Sequence, residues 1–157
     1  MDLQSRQRRM VGHGAWILFV AMLAGLGLLA SLVGGIELWP GHIQALSIPG
    51  SASAWARTHV GGILNALLVM VVALLLPVLN FSDVAVRRVG GWIVGTGWAN
   101  TLFYWAAMWS PNRALTLGDN RFGPSSLAAL LGLLPALVFV VLSTIAVVFI
   151  GRQAWKR

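Results

Sequence analysis

The chain contains no cysteine and very few charged residues. Without cysteine, disulfides, thiolate-bound metals, a cysteine nucleophile and reductases that work through paired thiols are all excluded. Only 10% of the 157 residues are charged while 58% are hydrophobic, so the charges are too few to cover a water-facing surface. The composition therefore predicts a membrane protein.

Acidic residues are also scarce, with 4 against 11 basic ones and a net charge of +7. In a soluble protein this balance would suggest a nucleic acid partner, but here most basic residues flank long apolar runs, and no nucleic acid partner is expected. Each run is long enough to span a bilayer, and the first is too long for a signal peptide. The sequence predicts one all-α integral membrane domain with four transmembrane helices, at about 12–33, 58–79, 89–109 and 126–150.

Basic residues are concentrated in three of the segments outside these runs. They lie in the N-terminal tail, in the link 80–88 and in the C-terminal tail, whereas the longer loops 34–57 and 110–124 contain fewer. Because basic segments stay on the cytoplasmic side, both termini and the short link are predicted to be cytoplasmic. The two longer loops are then expected to face outward.

Polar residues enter two of the predicted helices near the outward face. His59 lies at the threshold of the second run, and Asn65 is ~9 Å deeper at 1.5 Å per residue. Thr96, Asn100 and Tyr104 recur every four residues on the third helix, so they share one face. Asn65, Asn100 and Tyr104 are expected at one depth. Because polar groups are costly inside a membrane, they are candidates for a functional site.

These residues also admit structural interpretations. His59 could bond a loop carbonyl, and Asn65 and Asn100 could bond each other between helices. His59 and Asn65 are also about 120° apart on an ideal helix, which predicts a groove or a shared site rather than one simple pocket. If His59 bound haem, its iron would lack a second histidine at that depth, because His13 lies near the other membrane surface. An open position of this kind suits a Lewis acid better than an electron relay.

Several long segments resemble one known family, in the same order along nearly the whole chain. They are RMVGHG (9–14), LVGGIELWPGHI (32–43), IPGSASAWARTHVGGILN (48–65), GWANTLFY (97–104) and SPNRALTLGDNRFGP (110–124). The sequence resembles the styrene oxide isomerases, small membrane enzymes of bacterial styrene degradation.

The resemblance implies a homotrimer in the bacterial inner membrane, with ferric b-type haem where subunits meet. It implies isomerisation of an aryl epoxide to an aldehyde, styrene oxide giving phenylacetaldehyde, by Lewis-acid ring opening and a 1,2-hydride shift. In this family pattern His59 corresponds to the axial ligand of the haem iron. Asn65 and Tyr104 correspond to the catalytic polar groups near the epoxide oxygen.

Further residues are assigned around this expected site. Arg57 and Arg113 are candidates to bind the haem propionates, although either could instead anchor a loop. The expected substrate pocket comprises Thr96, Trp98, Asn100 and Phe103, of which the aromatic residues could equally form an interfacial belt. Thr96 departs from the family pattern, which has an aspartate before the Gly-Trp pair, so any role of that acid is absent here.

Two other function classes fit the sequence without the resemblance. One is a haem protein for electron transfer or sensing, and the other is a structural or transport subunit whose polar residues bond helices together. Whether a styrene monooxygenase docks on the cytoplasmic face is left open. The expected ligands are a small aryl epoxide, membrane lipid and two further copies of the chain.

Overall fold

The computed structural model describes residues 3–156, and four long helices dominate it. A serine caps the start of each of the last three, where its hydroxyl accepts a hydrogen bond from the backbone N–H three residues later. The bounds are α1 Leu3–Val33, α2 Ala52–Leu75, α3 Asp83–Trp109 and α4 Leu127–Ala154.

The connection between α1 and α2 contains an antiparallel hairpin, β1 Gly35–Trp39 and β2 His42–Ala45. The expectation of an entirely helical chain is corrected here. Pro40 and Gly41 form the turn, Gly41 has a positive φ of 81°, and its N–H donates to Glu37 Oε1 at 2.9 Å. The rings of Trp39 and His42 then stack 4.1 Å apart across the two strands. His42 is thereby exposed and distant from any helix interior.

Helices α1, α2 and α3 pack against one another, and α4 packs on α3. Their shared core contains Ile17 of α1, Val69 of α2 and Ile93 of α3, all completely buried. Many large apolar side chains elsewhere on the helices remain exposed, which in water would be unfavourable over so large an area. The exposed surface therefore fits a lipid environment.

Within residues 3–156, three helices are long and apolar enough to cross a membrane, namely α1, α2 and α4. This finding fits a membrane protein. α3 is 27 residues long but includes arginines, glycines, tryptophans and polar side chains, and it packs against all three other helices. Helices on three sides thus cover part of α3, while four spans and their orientation remain predictions.

The basic ends of three helices lie at one end of the bundle. Leu3 of α1, Phe81 before α3 and Ile150 of α4 all pack against the same core cluster. Gln153 near the end of α4 donates to the Leu79 carbonyl at 2.9 Å, which ties that end to the α2–α3 link. The fold therefore gathers the segments that the charge pattern predicts to be cytoplasmic.

We expect Ile93→Ala to lower the free energy of unfolding by about 2–5 kcal/mol, because it leaves a cavity among three helices. Ile145→Ala is the matched control, since Ile145 on α4 is 39% exposed. Thermal unfolding of both variants in one detergent measures the difference. Equal destabilisation by the two substitutions would contradict this packing.

Candidate active site

His59 of α2 is held against the backbone of α1. Its Nδ1 lies 2.8 Å from the Ala21 carbonyl oxygen, and its ring rests over Gly25, where an added Cβ would be 2.8 Å from Nδ1 and Cε1. Because a carbonyl can only accept, Nδ1 carries the hydrogen and Nε2 keeps its lone pair. The histidine is half-buried, with one nitrogen fixed and the other suited to bind a metal.

A second polar group joins α2 to α3. Asn100 Nδ2 donates to Asn65 Oδ1 at 3.1 Å, and Asn65 is buried. The bond satisfies the Asn65 oxygen and orients the amide, while Asn65 Nδ2 makes no hydrogen bond within the described chain. The pair is therefore both a contact between helices and a fixed source of N–H donors.

Tyr104 lies on the same groove, one turn after Asn100. Its ring covers Gly61 of α2, where an added Cβ would be 2.5 Å from Cε2 and 2.9 Å from the hydroxyl oxygen. No residue in the range 3–156 forms a hydrogen bond with this hydroxyl. Tyr104 thus presents a fixed phenol O–H, available to an oxygen atom of a ligand.

The two halves of the predicted site lie on different sides of α2. His59 bonds α1, whereas Asn65 and Gly61 contact Asn100 and Tyr104 of α3. The angular separation expected from the sequence is therefore present in the fold. The structure brings Asn65, Asn100 and Tyr104 together in the α2–α3 groove, and it places His59 on the α1 side.

A recess of about 80 Å³ opens at the end of the α2–α3 groove nearest the α3–α4 loop. Two arginines and two aromatic residues that the sequence singled out meet there. Since two guanidinium groups line one small recess, it favours carboxylates or another anion. Its lining is Ala54, Arg57, Thr58, Phe103, Tyr104, Ala107, Arg113 and Leu115.

Arg113 reaches this recess from a loop folded around Asn112, a residue absent from the sequence predictions. Asn112 is completely buried; its Nδ2 donates to the Thr116 and Gly118 carbonyls at 2.9 and 3.0 Å, and its Oδ1 accepts from Ser110. Arg113 itself has a positive φ of 58°, and its guanidinium lies 4.1 Å from the Phe122 ring centroid. The loop thus holds the cation in place.

Thr96 and Trp98 lie away from this recess. The Thr96 hydroxyl has one hydrogen to share between two acceptors, the carbonyl oxygen of Trp92 at 2.8 Å and that of Phe139 on α4 at 3.2 Å. Trp98 Nε1 donates to His13 Nδ1 at 3.1 Å, on the α1 side of α3. Their proposed place in a substrate pocket therefore has no support from these contacts. Phe103, whose ring centroid is 5.5 Å from that of Tyr104, does line the recess.

Gly25 is a second residue that sequence reasoning missed. Its signal is weak, because α1 contains several glycines and only the rotation of the helix shows which one meets His59. A small residue opposite a polar one on a neighbouring helix is nevertheless typical of close packing in membranes. Among residues 3–156, no group of three or more His, Asp or Glu side chains could hold a metal ion. Any metal held by His59 would need other ligands.

Comparison with known proteins decides the family. A family model described as styrene oxide isomerase matches residues 6–155. The chain is also 45% identical over 154 residues to a styrene-oxide isomerase of Pseudomonas fluorescens, covering 98% of this chain and 91% of that protein. The chain belongs to the styrene oxide isomerase family. Membership confirms the resemblance seen in the sequence and the expectation of an epoxide isomerase enzyme.

We expect Gly61→Ala to displace the Tyr104 ring, because the new methyl group would lie 2.5 Å from Cε2. Tyr104 is the only tyrosine, so protein labelled with 3-fluorotyrosine gives one ¹⁹F resonance. The resonance should shift in Gly61→Ala and stay in place in Gly12→Ala, where an added Cβ meets nothing within 4 Å. An unshifted resonance in Gly61→Ala would refute this close contact.

Proposed function

We propose that this chain is a haem-dependent membrane isomerase that converts aryl epoxides to aldehydes, styrene oxide giving phenylacetaldehyde. The observation that carries the proposal is His59, whose Nδ1–H is fixed on the Ala21 carbonyl so that Nε2 is left as a ligand. Family membership supports the epoxide reaction, and the haem is our own inference.

The residues present fit a haem. His59 Nε2 would hold the haem iron, and its Nδ1 bond is the type of outer contact that orients a ligating histidine. Arg57 and Arg113 line one recess on the other side of α2 from His59, so they would bind the propionates of a haem that lies between two copies of the chain. A haem needs one protein ligand, which agrees with the lack of a side-chain cluster for a bare metal ion among the described residues.

The arrangement supports a site shared between copies of the chain. His59 and Tyr104 lie on different sides of α2, so a ligand between two subunits could meet both more easily than a ligand within one chain. This supports the proposed homotrimer. A site shared between subunits would also let one ligand reach His59 and Asn65, which point in different directions from the same helix.

When bound, ferric haem supplies a Lewis acid that withdraws electron density from the epoxide oxygen. Tyr104 donates its unpaired O–H to this oxygen as negative charge develops, and Asn65 adds an N–H from the amide that Asn100 orients. Both donors are fixed before the reaction, Tyr104 by Gly61 and Asn65 by Asn100. They therefore stabilise charge without further rearrangement.

The remaining steps follow from the substrate. The benzylic C–O bond breaks because the aryl ring stabilises the positive carbon, and a hydride moves to that carbon from its neighbour as the carbonyl forms. No electrons or atoms are gained or lost. Phe103 beside Tyr104 offers an aromatic surface to the aryl group and the developing cation. Apolar helices exclude the water that would otherwise give a diol.

An electron-transfer or sensing haem protein is the alternative, and it would commonly use a second axial ligand. The other two histidines do not supply one at the level of His59. His13 accepts from Trp98 on the first half of α1, and His42 stacks on Trp39 in the exposed hairpin. These placements favour the isomerase.

We further propose a multi-pass location in the bacterial inner membrane, with both termini in the cytoplasm. Three apolar helices, the basic residues gathered at one end of the bundle and a bacterial relative support it. Whether a styrene monooxygenase docks at the basic end, which would then face the cytoplasm, stays an open question. Copurification of the two proteins from membranes tests that partner.

His59→Ala should abolish the axial ligand, change the Soret absorbance of the purified protein and remove isomerase activity. Gly25→Ala should lower haem affinity by roughly 10- to 100-fold, because its methyl group displaces the imidazole from its outer partner. Gly12→Ala, on the open side of α1, should match the unsubstituted protein. Full haem content and full activity in His59→Ala would exclude the proposal.

Tyr104→Phe should keep the haem spectrum and lower kcat by about 10²- to 10³-fold, the loss typical of one fixed donor to a developing oxyanion. Trp109→Phe is the control on the same helix, since Trp109 is 58% exposed. Phenylacetaldehyde formation from styrene oxide gives both rates. Unchanged kcat in Tyr104→Phe would show that the phenol does not act on the reacting oxygen.

A further inference from the structure

A second cavity lies at the other end of the bundle, between α1 and α3. Its volume is about 270 Å³, and Gly91 in its wall is ~20 Å along α3 from Tyr104 at 1.5 Å per residue. The cavity therefore plays no part in the proposed reaction site. Its lining combines basic and apolar residues, namely Arg6, Arg9, Met10, His13, Val86, Arg87, Gly90, Gly91 and Val94.

Arg9 and Arg87, two of the arginines that line this cavity, have no neutralising partner among residues 3–156. Within residues 3–156, Arg9 and Arg87 form no ion pair or hydrogen bond, and Asp83, one turn before Arg87, does not pair with it. His13 accepts from Trp98 through Nδ1, so its neutral ring carries a hydrogen on Nε2. Several donors of positive or partial positive charge thus line one concave space, which favours an anion.

The apolar part of the lining indicates which kind of anion the cavity would bind. Met10 and Val86 are buried beneath the arginines, and Val94 continues the wall towards the apolar part of the helices. Trp98, which donates to His13 of the lining, is 37% exposed. A basic rim above an apolar groove, with tryptophan nearby, is the arrangement that receives a phosphate headgroup and its acyl chains.

We propose that this cavity binds an anionic phospholipid, with the headgroup phosphate held by Arg9 and Arg87 and the acyl chains along α1 and α3. The proposal does not depend on haem or on the isomerase reaction. It assigns the basic pair a specific ligand, beyond the role of such residues in membrane orientation.

Two pairs of arginines provide a matched test. Arg9→Gln with Arg87→Gln removes two charges from the cavity lining, whereas Arg8→Gln with Arg88→Gln removes two neighbouring charges outside it. Gly91→Leu fills the cavity without changing charge, because an added Cβ there meets nothing within 4 Å. Far-UV circular dichroism and the ¹⁹F resonance of Tyr104 check that every variant is folded.

Native mass spectrometry of the full chain in detergent, titrated with phosphatidylglycerol, measures lipid binding. We expect the Arg9/Arg87 variant to bind about thirtyfold more weakly, as two lost contacts of this kind imply, and Gly91→Leu to lose binding similarly. The Arg8/Arg88 variant should retain it. Phosphatidylcholine should fail to compete, and millimolar inorganic phosphate should leave the bound lipid in place.

Three results would overturn the proposal. Equal weakening by both arginine pairs would show a general charge effect. Equal binding of phosphatidylcholine would remove the need for an anionic headgroup. Displacement of the lipid by inorganic phosphate, or its replacement by an acidic peptide at equal concentration, would assign the cavity to a soluble anion.

Discussion

The hydrogen bond from His59 to the Ala21 carbonyl is the contact on which the site depends. A carbonyl inside α1 also accepts from the backbone N–H four residues later, which here belongs to Gly25. Because Gly25 has no side chain, the imidazole can lie against α1 and share that carbonyl. The absence of a side chain at Gly25 therefore permits the hydrogen bond that sets the tautomer of His59.

A glycine also makes room for a functional side chain on the other side of α2. Gly61 admits the Tyr104 ring, and the Asn65–Asn100 pair satisfies an amide oxygen that would be costly to leave alone in apolar surroundings. α3 carries most of these polar groups and packs against all three other helices. Polar side chains need hydrogen-bonding partners that lipid does not offer. This requirement explains why the helix with a mixed composition lies among the other helices.

Sequence reasoning anticipated what depends on depth and composition. Apolar runs indicate where the helices lie, and residue spacing predicted that Asn65 is level with Asn100, to which it is hydrogen-bonded. It could not anticipate what depends on helix rotation. Thr96 and Asn100 are one turn apart, yet one bonds α4 and the other bonds α2. The hairpin was missed because its strands are short, exposed and joined by a turn that reads equally well as a loop.

The loop around Asn112 joins α3 to α4 and closes on itself through the Ser110 and Ser126 hydroxyls, 3.0 Å apart. Its internal hydrogen bonds run from loop side chains to the loop's own backbone, so they hold its shape locally. Arg113 and Leu115 are the loop residues that line the recess beside Tyr104. For protein engineering, Arg113 is therefore the position at which the anion preference of the recess can be changed without removing a hydrogen bond of the Asn112 side chain.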